Sequence, residues 1–486
     1  MVIGSDPRGA LIALDRFGLG AKPGDLAAAA ADPRGFLLEE IRRPNVGRLE
    51  NASLLPSNVA LQALFADQQA RRIERERNIV EKTTRISMAE PGAAMAASGP
   101  AAPPPNADSR PKPQEPPIDQ KLFRAEAMAR FEKQASAQAG FVERLVAFWS
   151  NHFVVSVAKG QFVRVAAGPF EREAIRPHAL GRFADMLAAV ESHPAMLFYL
   201  DNQRSIGPGS AAGRFAGKGL NENLAREILE LHTLGVGGGY SQQDVTALAR
   251  IITGWSVAEA ESEIGEPGSF VFKANWHEPG APVLLGERYP QTGREQGAAA
   301  LAAIARHPAT ATHIATKLTR HFIADAPPKP IVEALAKTFR DTDGELSAVA
   351  ETLIESDLAW SAPFSKIRTP EEFLVATARA TGVLPTDPGQ YLNMLKAMGR
   401  PLWQPPGPNG YPDTLDALAS PEAMKLRLDV AWQIAQRLKN IGHPLSLLDT
   451  AAGLAASRET REAVSRAESR PQALAIVLMS PEFQRR

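Results

Sequence analysis

The residues of this chain best suited to chemistry lie between Asn221 and Trp255, in NENLAREILELHTLGVGGGYSQQDVTALARIITGW. Three carboxylates, an arginine, two asparagines and a histidine crowd one short segment of helical periodicity. At about 100° per residue, Glu222, Arg226 and Glu230 fall near one line, with Asn223 and Glu227 beside them. Leu224, Ile228 and Leu231 take the opposite side. Spacings of three and four let the acids and Arg226 touch without tertiary help. Two readings follow. In one, Glu227 and Glu230 enter a cavity as proton carriers or ligands of a divalent cation, with Asn223, Arg226 and His152 around them. In the other, Arg226 bridges Glu222 and Glu230, and the cluster is a structural ion-pair network.

A di-iron bundle is excluded by spacing. That site needs Glu-x-x-His on one face, and here Thr233 stands where the template wants histidine. His232 precedes Gly235, a natural helix stop, so a role at the helix C-terminus suits it better than catalysis. Ser241 and Asp244 then form a capping box for a second helix. Gly237, Gly238 and Gly239 lack the preceding strand and following Lys-Ser/Thr of a phosphate loop, and read as a connector.

A second polar line lies in HPATATHIATKLTRHFIAD. His313, Lys317 and His321 recur every four residues with Arg320 adjacent, which makes a basic face able to bind an anion. If it packs against the acidic segment, both clusters are structural. If a gap separates them, the two faces make a polar cleft. His277, next to Glu278, looks like a ligand pair, but neighbouring strand residues face opposite ways. His152, flanked by aromatics in FWSNHF, is either a buried base or a core histidine satisfied by a backbone carbonyl. The loop PLWQPPGPNGYPD, with Trp403, Asn409, Tyr411 and Asp413, is too aromatic for a plain linker and is expected to line a pocket or pack as a lid.

The elements that position these groups are almost all helical. Short helices are expected around Ala10–Arg16 and Asp32–Arg42, and a long charged one from about Asn58 to Lys82. A further helix resumes near Ile118 and runs toward Trp149. Between them, residues 86–117 are rich in Ala and Pro without apolar periodicity, the composition of a disordered insert. One strand pair is expected near 270–289, with turn residues at His277–Gly280. The chain therefore divides into N-terminal helices (1–85), the insert (86–117), a helical core with the acidic helix and the β-hairpin (118–365), and a C-terminal helical region (366–486). The fold class is mainly α, a large multi-helix body.

Composition narrows the function classes. Among 486 residues, 54 Lys and Arg balance 54 Asp and Glu, so no global field recruits nucleic acid. The chain has no cysteine, which removes disulfides, thiolate metal sites and cysteine nucleophiles. No run is long enough to span a bilayer, and the first residues lack a basic segment followed by an apolar core. A soluble cytoplasmic protein is the expectation, while the absence of cysteine suits an exported one equally.

Several segments together resemble a bacterial family known as domain of unknown function 1800. They are RFGLG (Arg16–Gly20), FWSNHF (Phe148–Phe153), RPHALGRFADML (Arg176–Leu187), HPAMLFYLDN (His193–Asn202), NENLAREILELHTLGV and YSQQDVTALARIITGW. HEPG…LLG (His277–Gly286), HPATATHIATKLTRHF (His307–Phe322), QPPGPNGYPD (Gln404–Asp413) and the terminal SPEFQRR continue the series. The resemblance implies a largely helical fold and supplies no activity. It also implies a possible association with a partner protein similar to alkaline phosphatases and sulfatases, through a neighbouring unknown-function family. Two function classes stand side by side: an enzyme with a carboxylate/His/Arg cleft, with a divalent metal ion as one option, and a non-catalytic scaffold or partner protein.

Overall fold

Helix starts are written into this chain as side-chain caps. Asp6, Asp32, Ser420, Ser457 and Ser469 each accept a backbone N–H from the first turn that follows. Ser241–Asp244 and Thr369–Glu372 form complete capping boxes. Three His-Pro pairs do the same work: the Nδ1 atoms of His193, His307 and His443 accept from the N–H two residues on, and the proline takes the first helical position. These three histidines are thus occupied by structure.

A computed structural model of the chain describes residues 5–88, 115–216, 219–439 and 441–486. It is mainly helical, with two small antiparallel sheets of two strands each among the described residues. Most of the insert expected at 86–117 lies outside the described residues. Of its edges, 86–88 belong to the helix Ser57–Met88, and 115–117 lead into the helix Ile118–Ser136.

The continuous helix expected from Ile118 toward Trp149 is two helices, Ile118–Ser136 and Phe141–His152. Gly140 sits between them at φ +85°, where an added Cβ would press on Leu19. The strands also pair differently from the expectation. Phe270–Phe272 pairs with Trp255–Val257, and Val283–Leu284 pairs with Glu287–Arg288. The chain leaves the first sheet through the 3₁₀ turn Ala274–Trp276, and His277 is tied back to Thr253, so Phe270–Phe272 never meets the later segment.

One apolar core reaches from Ala10 to Phe483. Its centre is aromatic: Phe17 packs on Phe141 and Phe322, and Trp149 on Phe153 and Phe183. Threaded through it are buried arginines that satisfy backbone carbonyls. Arg144 donates to Asp15 O and Gly18 O and pairs with Glu372; Arg379 donates to Gly20 O and to carbonyls at Ala137 and Gln138. The RFGLG segment is held by these arginines; Gly20 lies at φ +97° and a Cβ at Gly18 would run into Ala139 O, so its glycines serve the architecture. Arg486 closes the same network, donating to His321 O and pairing with Glu372 and Asp413.

Candidate functional site

The acidic segment begins as the α-helix Asn223–Glu227 and finishes as a π turn, Ile228–His232. A π turn takes one extra residue per turn, so Glu230 rotates off the Glu222–Arg226 line. Arg226 accordingly pairs with Glu222 at 3.2 Å but makes no ion pair with Glu230. Glu222 also accepts from Thr246 and Gln242 and lies below its ordinary carboxylate range, chiefly through the Thr246 bond. That half of the cluster is structural.

The π turn leaves its last carbonyls without helical partners, and two histidines claim them. His152 Nε2 donates to His232 O at 3.1 Å, and His313 Nε2 donates to Leu231 O at 3.2 Å. Each bond fixes a tautomer. With the proton on Nε2, Nδ1 of both rings carries a lone pair, and His152 Nδ1 is buried without a partner. Burial, reinforced by the Lys317 charge, holds His152 well below the usual histidine range; the same causes put His313 at about 4. Both rings are neutral bases near pH 7. The His232 ring lies behind them, its Nδ1 2.8 Å from Oε1 of buried Glu191.

Beside these rings opens a cavity of about 680 Å³. One wall is the helix Pro308–Phe322, which turns Ile314, Leu318 and Phe322 to the core and His313, Lys317, Arg320 and His321 to the cavity. Asn151 and His152 close the adjoining side, Glu230 and Leu231 contribute the π turn, and Glu371 and Glu372 come from the start of the helix Pro370–Thr381. The loop from Arg400 to Thr414 forms the remaining wall. Asn151 ties that loop down, donating to Tyr411 O and accepting from Tyr411 N.

Charge in the cavity is divided between paired and unpaired groups. Asp413 accepts from His321 Nδ1 at 2.5 Å and is backed by Arg486 and Lys366. Burial alone raises this carboxyl, but His321 and Arg486 outweigh it and hold Asp413 far below the usual range. His321 is lowered by burial against the pull of Asp413. Its neutral ring therefore gives Nδ1–H to Asp413 and keeps a lone pair on Nε2, which is buried and unpartnered. Glu371 is paired with Arg130, and Glu372 with Arg144 and Arg486. By contrast, Lys317, Arg320 and Arg400 make no ion pair among the described residues, and neither does Glu230, which receives only Tyr240 Oη–H at 3.2 Å. Burial first, then Arg320, lowers Lys317 to about 8.

Of the residues singled out from the sequence, His152, Glu230, Lys317, Arg320 and His321 meet at this cavity. Asn223, Arg226, Glu227 and His277 lie outside its lining. Asn223 is exposed at the helix start, Arg226 is held by Glu222 and Gln242, and His277 donates to Thr253 O against the Phe272 ring. Glu227 is half-buried beside Tyr199 and is raised by that burial. The split between Glu227 and Glu230 undoes the proposed cation pair. Among the described residues, no three His, Asp or Glu side chains converge in a geometry able to hold a metal ion. His313 and Asp413 were legible as part of the basic line and of the pocket-lining loop, though the partner of Asp413, His321, is 92 residues away; Arg400, Glu371 and Glu372 were missed.

Gly235 guards this arrangement. It sits at φ +84°, and an added Cβ would come within 2.5 Å of His313 Nδ1. Gly235→Ala is expected to lose about 1–2 kcal/mol from the left-handed backbone alone. It should also push His313 off Leu231 O, visible as a shifted His313 imidazole resonance in NMR.

Fold and site together define an α-helical protein with a cavity lined by charged side chains and apolar surface. The chain belongs to the family described as Protein of unknown function (DUF1800), whose model matches residues 12–485. No curated protein and no solved structure matches it. Among the described residues no helix is long and apolar enough to cross a membrane.

Proposed function

We propose that this chain is an enzyme that binds a small anionic substrate in the 680 Å³ cavity and moves a proton on it. The observation that carries the reading is the His321–Asp413 pair beside two lining cations, Lys317 and Arg320, that have no counter-ion among the described residues. Asp413 fixes the tautomer and orientation of His321 and stabilises the imidazolium that forms when Nε2 takes a proton. Lys317 and Arg320 supply charge-assisted contacts to a carboxylate or phosphate. His152 offers a second neutral nitrogen whose orientation is set by His232 O.

A non-catalytic scaffold would need the cluster's charges to cancel within the fold. Glu222, Glu372 and Asp413 do cancel; among the described residues Lys317, Arg320 and Glu230 make no ion pair. Keeping the Lys317 ammonium unpaired in the cavity wall costs stability, and a ligand that completes the pairing accounts for it; Arg320 is exposed and carries no such cost.

The test is a calorimetric titration of the full chain with a panel of small phosphorylated and carboxylated compounds and their neutral analogues. At least one anion should bind with one-to-one stoichiometry while its neutral analogue does not. Arg320→Gln should weaken that binding on the order of tenfold, the effect of one charge-assisted hydrogen bond. Equal binding of charged and neutral members, or none at all, contradicts the reading.

A further inference from the structure

Lys317 stands apart from the other cations of the cavity. Arg130 is matched by the buried carboxylate of Glu171, Arg400 stacks on the Tyr411 ring, and Arg320 is exposed and donates to Asp325 O. Lys317 has neither an ion pair nor a hydrogen bond among the described residues, and it lines the cavity partway along the wall helix. On its own helix its neighbours are His313, Arg320 and His321. Across from it lie His152, Glu230 and the loop that carries Asp413 and Arg400. The groups with the clearest influence on it and from it are basic: Arg320 acts on Lys317, and Lys317 acts on His152 and His313. Glu371, Glu372 and Asp413 face the same cavity but are already paired.

We infer that Lys317 is an amine nucleophile that forms an imine with an anionic aldehyde or ketone bound in the cavity. The inference rests on the anion-binding reading above and names its substrate class. An ammonium cannot attack a carbonyl, so a nucleophilic lysine must lose its proton near neutral pH. Removal from water and a neighbouring cation are the two means by which proteins achieve this. Both operate here, through the cavity wall and Arg320, and bring Lys317 to about 8. At pH 8 the neutral fraction is then on the order of a hundredfold larger than for an ordinary lysine.

The step balances with one proton drawn from solvent. The Lys317 nitrogen pair forms the C–N bond while the carbonyl π pair moves to oxygen. A proton passes from the new ammonium to that oxygen to give a carbinolamine. A second proton, taken from solvent, turns the hydroxyl into leaving water while the nitrogen pair closes the C=N bond, which remains protonated as an iminium. The anionic group of the substrate is needed on charge grounds: it offsets the iminium among Arg320, Arg400 and Lys317 itself.

Borohydride trapping tests this. The full chain is incubated with glyoxylate, reduced with sodium borohydride and mapped by peptide mass spectrometry across pH 6–10. The expected result is a reduced adduct on Lys317, formed at least about tenfold faster than on any surface lysine, with a midpoint near pH 8. Arg320→Gln should move the midpoint to higher pH, because it removes a cation that favours the neutral amine. Lys317→Arg, checked for folding by circular dichroism, should lose the adduct. If Lys317 stays unmodified while the calorimetric titration still shows Arg320-dependent anion binding, the imine inference is overturned and the anion site stands. If neither is seen, both fall.

Discussion

Glu372→Ala is expected to lower the unfolding free energy by about 3–5 kcal/mol, the loss typical of breaking a buried ion pair from one side. The carboxylate accepts from Arg144 Nη2 at 2.8 Å, pairs with Arg486 Nε at 3.0 Å, and accepts from Thr369 N as half of a capping box. Truncation leaves the buried Arg144 guanidinium without a counter-charge, leaves Arg486 with Asp413 alone, and removes one of the two bonds of the capping box. Burial pushes the Glu372 carboxyl up, but Arg144 and Arg486 outweigh it and bring it down to about 2 from 4.5. A depressed carboxylate stabilises the fold above its unfolded value and loses that contribution as protons return. The stability supplied by Glu372 is therefore complete above about pH 4.5 and lost between there and about pH 2. Urea unfolding between pH 2 and 7 should show a steep acid limb in the parent and a flatter one in the variant. A variant that melts like the parent would mean the network is not formed.

Lys317→Met is expected to act in the opposite direction on stability. A part-buried ammonium without a counter-ion is a cost to the fold, and the Lys317 value of about 8 expresses it. A base lowered on folding destabilises the native state wherever it is protonated, and the penalty fades as pH rises from about 8 towards the unfolded 10.5. Methionine fills a similar volume without the charge. The variant should gain about 1–2 kcal/mol at pH 7, allowing for water that reaches the ammonium, and the gain should shrink by pH 10. The same change should weaken anion binding on the order of tenfold to a hundredfold. A gain in stability joined to a loss of binding marks a residue kept for function. A loss of both would make Lys317 a structural residue.

How far these features were visible in the sequence depended on whether they were local. The capping box at Ser241, the Gly235 stop, the i, i+4 basic line and the helical fold class all follow from spacing of a few residues. The π turn was not visible, because Ile228–His232 carries the same apolar periodicity as an α-helix while its hydrogen bonds shift by one residue. That shift separates Glu230 from Arg226 and frees the carbonyls that His152 and His313 take up. The pairing of His321 with Asp413, and the burial of Arg144 against Glu372 across 228 residues, depend on tertiary closure with no periodic trace. His277 misled for a local reason: beside Glu278 it resembles a ligand pair, but its Nδ1 is consumed by the Thr253 carbonyl.

The account depends on Lys317 and Arg320 being left without counter-ions so that a guest can provide one. Crystals of the protein soaked in sodium tungstate, a phosphate-shaped anion with a strong anomalous signal, locate that guest directly. The account predicts an anomalous peak inside the cavity within hydrogen-bonding reach of Lys317 Nζ, absent from Lys317→Met crystals soaked in the same way. Tungstate found only on the outer surface, with the cavity holding water alone around Lys317, would contradict it.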